Sequence, residues 1–210
     1  AVGALLVLPG LTVGGAMPFA WLPWDPWATT PAGKVLEVIG LLSAAVVIVY
    51  AGLVLADKAA VTFWRSWLIP VQWVLSSLAM SMATIMVTET LNRAPIDTIE
   101  CWLLAKFSML LLLTIAWHLV TDRTKPGKVE ALERLQTKYC WLFFGGVLGA
   151  GTLLPALLAI AGVMSPSGRG AIGIACFVLT VAGGFFLRLI TLRVGYFPPV
   201  SGALRLSKRR

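Results

Sequence analysis

Six side chains that can ionise or exchange a proton interrupt long apolar stretches of the sequence: Glu37, Tyr50, Glu89, Lys106, His118 and Arg188. Placing such a group among apolar residues in a membrane is costly, so it usually binds a substrate, carries protons or neutralises a partner charge. Phenol and carboxyl groups can also hydrogen-bond a reacting oxygen and pass a proton to it. The six residues therefore predict a polar path through an apolar protein, with a proton-exchanging site along it.

The depth of these residues differs from one apolar stretch to the next. Glu37, Glu89 and Lys106 are predicted near one end of their stretches, which we call side A. Tyr50 and Arg188 each fall about six residues, or roughly 9 Å of helix, before the opposite end, side B. They would meet if the second and sixth stretches touch.

A structural role is an equally good interpretation of two other residues on the path. Lys106 and His118 could extend to the membrane surface, or form one internal hydrogen bond, without any part in function.

The composition indicates which class of protein contains these groups. The chain is 59% hydrophobic and 12% charged, whereas a soluble domain has roughly 25% charged residues. Apolar runs of about 20 residues are long enough to cross a hydrocarbon core of roughly 30 Å. The predicted fold is therefore an all-α, polytopic transmembrane helix bundle.

Six transmembrane helices are predicted, over residues 2–22, 35–56, 68–91, 98–121, 139–163 and 170–194, followed by a basic tail over 195–210. The first apolar run begins at Ala1 without a basic segment before it or a cleavage site after it, so we expect further residues to precede it. Gly145 and Gly149 form a pair of small residues four apart, which is typical of closely packed helices in lipid.

The basic residues are distributed unequally between the two sides. Side A carries Lys34, Arg93 and Arg169. Side B carries Lys58, Arg65, Arg123, Lys125, Lys128, Arg134, Lys138, Arg193, Arg205, Lys208, Arg209 and Arg210. By the positive-inside rule, side B and the C-terminus are cytoplasmic. The formal charge of +8 is then a topological and lipid-binding signal, and no nucleic-acid partner is predicted.

The residues that usually hold metals or prosthetic groups are too few and too scattered. Cys101, Cys140 and Cys176 lie in three different segments without the paired spacing of an iron–sulfur or zinc site. His118 is the single histidine, which does not suffice for a bis-histidine haem site. We therefore predict no metal, haem or iron–sulfur cluster in this chain, and no catalytic residue of its own.

Three stretches resemble one family of membrane proteins. Tyr50–Ala83, YAGLVLADKAAVTFWRSWLIPVQWVLSSLAMSMA, combines Tyr-x-Gly near a helix end, Phe-Trp in the turn and Leu-Ile-Pro at the next helix start. WLFFGGVLGAGTLLPALLAIAG has a Gly-rich first half and a Leu-Pro step, and FVLTVAGGFFLRLITLRVGYF has Gly-Gly followed by Arg188 and a final Gly. In this order they resemble the NrfD/polysulphide reductase membrane subunits.

The resemblance implies a fold and a functional setting. Such subunits usually have eight or more helices, so the six helices predicted here would be the C-terminal part of that fold. They carry no haem or cluster of their own, bind quinone or quinol, and sit on an iron–sulfur (ferredoxin-like) subunit. That subunit connects them to a molybdopterin enzyme or another redox subunit. A bacterial or archaeal cytoplasmic membrane is the implied location.

The resulting hypothesis is a membrane subunit of a quinone-linked oxidoreductase complex. Quinone would be bound by Tyr50 and Glu37, and protons would be carried along Glu89, Lys106, Arg188 and His118. Two alternatives stay open. The chain could be a structural anchor for peripheral redox subunits without a quinone site, or a small transporter, since internal charges and Pro-interrupted helices also occur in transporters.

Overall fold

The computed structural model describes residues 30–57, 63, 65–121 and 128–195, and all regular structure in these ranges is helical. The helices are α1 (Pro31–Ala56), α2 (Leu68–Leu91), α3 (Thr98–Val120), α4 (Lys128–Thr137), a π-helix (Trp141–Leu153), α5 (Leu154–Met164) and α6 (Arg169–Val194). A single 3₁₀ turn, Pro166–Gly168, connects the last two helices.

Five helical stretches are long and apolar enough to cross a membrane: α1, α2, α3, the continuous π-helix and α5, and α6. The all-α transmembrane fold predicted from the sequence is therefore confirmed. The helix predicted over 2–22 and most of the basic tail lie outside the described residues. One helix was not predicted, because α4 is short and amphipathic. It has Ala131 and Leu135 buried on one face and charged residues on the other.

The chain divides into two compact units at Tyr50, and each is described by itself. The described part of the first unit is the run from Thr30 to Tyr50, almost all of it α1. In the second unit, α2 packs against α3 and α6, and α6 packs against the π-helix. Helix α5 fills the space between α3 and α6.

The core of the second unit consists of two apolar clusters stacked along the bundle. The cluster toward side B includes Leu111, Ile115 and Leu187. The cluster toward side A includes Met86 and Leu104. Between them lies a layer of small and hydroxyl-bearing residues: Ser76, Ser108, Thr152, Thr180, Gly183 and Gly184. This polar layer reappears below as the wall of a cavity.

The tightest helix contact is formed by two glycines on the π-helix and α6. A Cβ atom added to Gly183 would lie 2.3 Å from the Cα of Gly151, so the two backbones touch where both residues lack a side chain. The pair predicted from the sequence does not make this contact. A Cβ atom on Gly145 would meet nothing within 4 Å, and one on Gly149 would meet only its own helix at Phe144 O.

The π-helix is explained locally by Pro155, which follows it at the start of α5. Pro155 has no N–H group to donate to the carbonyl four residues earlier, and its ring would clash with that carbonyl in a regular α-helix. Just before it, the N–H group of Leu154 donates to Gly149 O, five residues earlier. The wider turn thus accommodates the proline, and glycines at 145, 146, 149 and 151 permit it.

At each end of the bundle, one basic side chain donates hydrogen bonds that connect neighbouring segments. At side A, Arg169 donates from Nε to Gly162 O at 2.8 Å, from Nη1 to Ile96 O at 2.8 Å and from Nη2 to Thr98 Oγ1 at 2.7 Å. At side B, the buried Lys128 ammonium donates to His118 O and Thr121 O at the C-terminus of α3. Cations at helix C-termini stabilise the exposed carbonyl groups there.

Candidate functional site

Arg188 is a charged residue of the second unit that lies between two helices of the bundle. Its guanidinium lies between α2 and α6, where Nη2 donates to Ser77 Oγ at 3.1 Å and Nη1 contacts Gly184 O at 3.5 Å. Nη1 also lies 3.6 Å from Met80 Sδ, and the guanidinium carbon is 5.2 Å from the centre of the Trp73 ring. Within the described residues, every partner of Arg188 is uncharged.

The direction of the Arg188 side chain excludes simple extension to the membrane surface. Its Cα lies about 9 Å from the side B end of α6 at 1.5 Å per residue, and a snorkelling arginine would point toward that end. Instead, the guanidinium points back by one turn to Gly184 and reaches Met80, in the middle of the 24-residue α2. The charge is therefore directed toward the centre of the membrane.

A groove of about 450 Å³ lies directly beside this guanidinium. Its lining consists of Ser77, Met80, Ser81, Thr84, Ile85 and Arg188. An arginine carries five N–H donors, and here two of the three contacts are long or involve sulfur. Arg188 can therefore donate to a ligand oxygen in the groove.

The hydroxyl groups of the groove complement this donor. Ser81 donates to Ser77 O at 2.9 Å, and Thr84 donates to Met80 O at 2.7 Å. Because each hydroxyl proton is used within α2, the oxygen atoms are left as acceptors. Ser77, Ser81 and Thr84, spaced at i, i+4 and i+7, thus form a polar stripe on one helix face. None of these three residues was among the site residues predicted from the sequence.

Glu89 forms part of a second polar group, at side A. Its carboxyl group lies close to that of Glu100, on the neighbouring helix α3. One oxygen of each carboxyl is buried and has no hydrogen-bond partner among the described residues. Glu100 was not among the residues predicted from the sequence, although a short connection between two helix ends brings it next to Glu89.

The other residues of the predicted proton path are not brought together with Arg188 by any contact that the structure shows. Lys106 lies on the outward face of α3, beside Trp102 in a shallow apolar groove. The His118 ring is buried near side B and packs edge-on against Phe63, with centroids 5.0 Å apart. The backbone oxygen of His118 accepts from Lys128. These positions suit a structural role for His118.

The two residues predicted to bind quinone, Glu37 and Tyr50, both lie on α1 in the first unit. They are separated by thirteen residues, or about 20 Å along the helix axis. One compact headgroup therefore does not reach both of them.

The described residues contain no group of three His, Cys, Asp or Glu side chains that could hold a metal ion. The three cysteines, of which Cys101 and Cys176 are buried, are free thiols in the structure.

Comparison with known proteins identifies the family. The family model described as polysulphide reductase, NrfD matches residues 19–199, which is most of the chain. No curated protein and no solved structure gives a significant match. The match covers both the Arg188 groove and the Glu89–Glu100 pair, so these features belong to the matched region. This chain, an integral membrane protein with five described membrane-spanning helical stretches, belongs to the polysulphide reductase NrfD family.

Proposed function

We propose that this chain is the membrane subunit of a quinone-linked oxidoreductase complex and that the Arg188 groove binds the quinone headgroup. One observation supports the proposal. The Arg188 guanidinium points toward the membrane centre, contacts only uncharged groups among the described residues, and borders an open groove. An intramembrane charge without a countercharge among its contacts indicates a functional site.

A quinone headgroup fits the chemistry of this groove. Its carbonyl oxygens accept hydrogen bonds, which Arg188 can supply, while its hydroxyl form can donate to the oxygens of Ser81 and Thr84. The headgroup is uncharged and its tail is apolar, so the ligand can reach this depth from the lipid. A phospholipid phosphate would have to leave the membrane surface to arrive there. Ligand sites of this kind are largely apolar with a few well-placed polar groups.

The reaction requires partners for electrons and protons. Conversion of a quinone to a quinol takes up two electrons and two protons, and the reverse reaction releases them. In this proposal an iron–sulfur partner subunit, connected to a molybdopterin or other redox subunit, exchanges the electrons. Glu89, paired with Glu100, exchanges protons near side A. The roles predicted from the sequence for Tyr50 and Glu37 in quinone binding, and for Lys106 and His118 in the proton path, stay predictions.

Membership of the polysulphide reductase NrfD family supports this assignment, because it fits a membrane subunit in a redox complex. The structural-anchor alternative has the same fold but no bound quinone. Quinone content and quinol turnover therefore separate the two functions.

The test uses the purified complex in lipid nanodiscs. We expect iron–sulfur signals in its low-temperature EPR spectrum and quinone in its organic extract. Arg188→Gln removes a charged hydrogen-bond donor, which typically contributes about 1.5–3 kcal/mol. We therefore expect the KM for quinol to rise by roughly 10- to 100-fold.

Arg193→Gln is the matched control. Arg193 lies on the same helix but is exposed in its last turn, outside the groove. Its replacement is expected to change the KM by less than about twofold, since it leaves Arg188 in place. If Arg188→Gln and Arg193→Gln had the same kinetics, the groove would not be the quinone site. An intact complex without quinone or turnover would favour the structural anchor.

A further inference from the structure

An enclosed cavity lies in the polar layer at the centre of the second unit. It is bounded by α2, α3, the π-helix and α6, and it is separate from the open Arg188 groove. Four hydroxyl groups line it, from Ser76, Ser108, Thr152 and Thr180. All four residues are at least 97% buried, with exposures between 1% and 3%. Such a group of hydroxyls is unusual between two apolar clusters.

Two of the four hydroxyls have no partner. Ser76 Oγ and Ser108 Oγ form no hydrogen bond with any described residue. Thr152 donates to Leu148 O at 2.7 Å, and Thr180 donates to Cys176 O at 2.7 Å. The threonine oxygens are thus left as acceptors, whereas each serine can both donate and accept. A buried hydroxyl without a partner is destabilising, so a missing hydrogen-bonding molecule is indicated.

The size and polarity of the cavity suit one water molecule. Its volume is about 10 Å³, which is about the space that a single water needs. Buried waters generally make two to four hydrogen bonds to polar groups that lack other partners. Here a water could accept from one serine, donate to the other and donate to a threonine oxygen. An apolar cavity of the same size would stay dry.

Gly184 lies on the side of this cavity that faces Arg188. A Cβ atom on residue 184 would lie 2.7 Å from Met80 Sδ, 3.5 Å from Arg188 Nη1 and 3.6 Å from Ser76 Oγ. The thioether of Met80 therefore occupies the space beside Gly184, and the cavity remains distinct from the Arg188 groove.

We infer that the cavity holds one ordered water molecule, hydrogen-bonded to Ser76 and Ser108. This inference does not rest on the proposed function, because the cavity is separate from the Arg188 groove.

The first experiment tests the water itself. A cryo-EM map of the whole complex, at a resolution that shows ordered waters, should contain a peak within hydrogen-bonding distance of Ser76 Oγ and Ser108 Oγ. The peak should be lost in the Ser76→Ala/Ser108→Ala double variant. It should persist in the control Thr84→Ala, which removes a hydroxyl outside the cavity. An empty cavity in the unmodified protein would overturn the inference.

Thermal unfolding gives an independent test, because the two possibilities predict opposite signs. With the water present, Ser108→Ala deprives it of a partner, and the Tm falls. In a dry cavity the same change removes an unsatisfied hydroxyl, and the Tm stays the same or rises. The two single changes should also be non-additive if one water connects them, whereas independent, additive effects would contradict the bridge.

Discussion

Glu89 and Glu100 lie close together on the neighbouring helices α2 and α3, and one oxygen of each carboxyl is buried without a hydrogen-bond partner among the described residues. Two like charges at such a distance repel each other, so the charge of one carboxyl affects the other. If Glu89 carries protons, we therefore expect Glu100 to act together with it.

This pairing predicts that the two glutamates are functionally equivalent. Glu89→Gln and Glu100→Gln each abolish proton exchange by the pair. We expect quinol turnover to fall by roughly a hundredfold in both variants, the lower end of what a positioned proton carrier contributes. Initial rates measured across the pH range in nanodiscs check this.

Glu133→Gln serves as the control, since Glu133 is exposed on α4 at the other end of the bundle. Its turnover should equal that of the unmodified protein. A large loss for Glu89→Gln alone, with normal rates for Glu100→Gln, would show that the residues do not act as a pair.

At the residue scale, the sequence predicted which groups are unusual but not how they are arranged. An arginine and a glutamate within apolar runs stand out by composition alone, and Arg188 and Glu89 were found in this way. Whether the hydroxyl stripe on α2 faces Arg188 depends on how that helix is rotated. Whether Glu100 lies near Glu89 depends on which helices pack together. Ser76 and Ser108 lie 32 residues apart, and no local pattern relates them.

At the element scale, the closest packing depends on the glycines at the contact between the π-helix and α6. A methyl group on Gly183 would lie 2.3 Å from Gly151 Cα, and a methyl group on Gly151 would lie 2.5 Å from Gly183 Cα. Backbone atoms cannot move aside as a flexible side chain does. The helices would have to separate, which would also disturb the adjacent cavity.

Gly183→Ala is therefore expected to destabilise the protein by about 1–3 kcal/mol, the usual cost of overpacking. Gly145→Ala should have little effect, because an added Cβ meets nothing within 4 Å there. Thermal unfolding of both variants in the same detergent measures the difference. Equal Tm values for the two would mean that the Gly151–Gly183 contact does not limit the helix separation.

The helices themselves were largely predictable from the sequence, whereas their irregularities were not. Long apolar runs located α2, α3 and α6 to within about one residue. The Gly-rich run and the Leu-Pro step stand out in the sequence, but they do not by themselves predict a π-helix over Trp141–Leu153. Helix α4 was not predicted because a ten-residue amphipathic segment in a basic loop lacks the length of a membrane span.

At the scale of the whole molecule, the two ends of the bundle differ in charge and in the way their charges are used. The short side A connections hold Arg93 and Arg169, and Arg169 is engaged with three partners of the bundle. Side B holds the greater part of the basic residues. Because short basic segments are retained in the cytoplasm, we expect side B to face the cytoplasm and the Glu89–Glu100 pair to face the opposite compartment.

Reporter fusions decide this orientation. A green fluorescent protein fused after Arg210 should fluoresce, and alkaline phosphatase at the same point should be inactive. Phosphatase fused after Pro95, in the side A connection, should be active. The orientation also sets the direction of proton movement, since protons that leave a quinol through Glu89 and Glu100 would then be released outside. Active phosphatase at Arg210 would reverse both conclusions, because the carboxyl pair would then exchange protons with the cytoplasm.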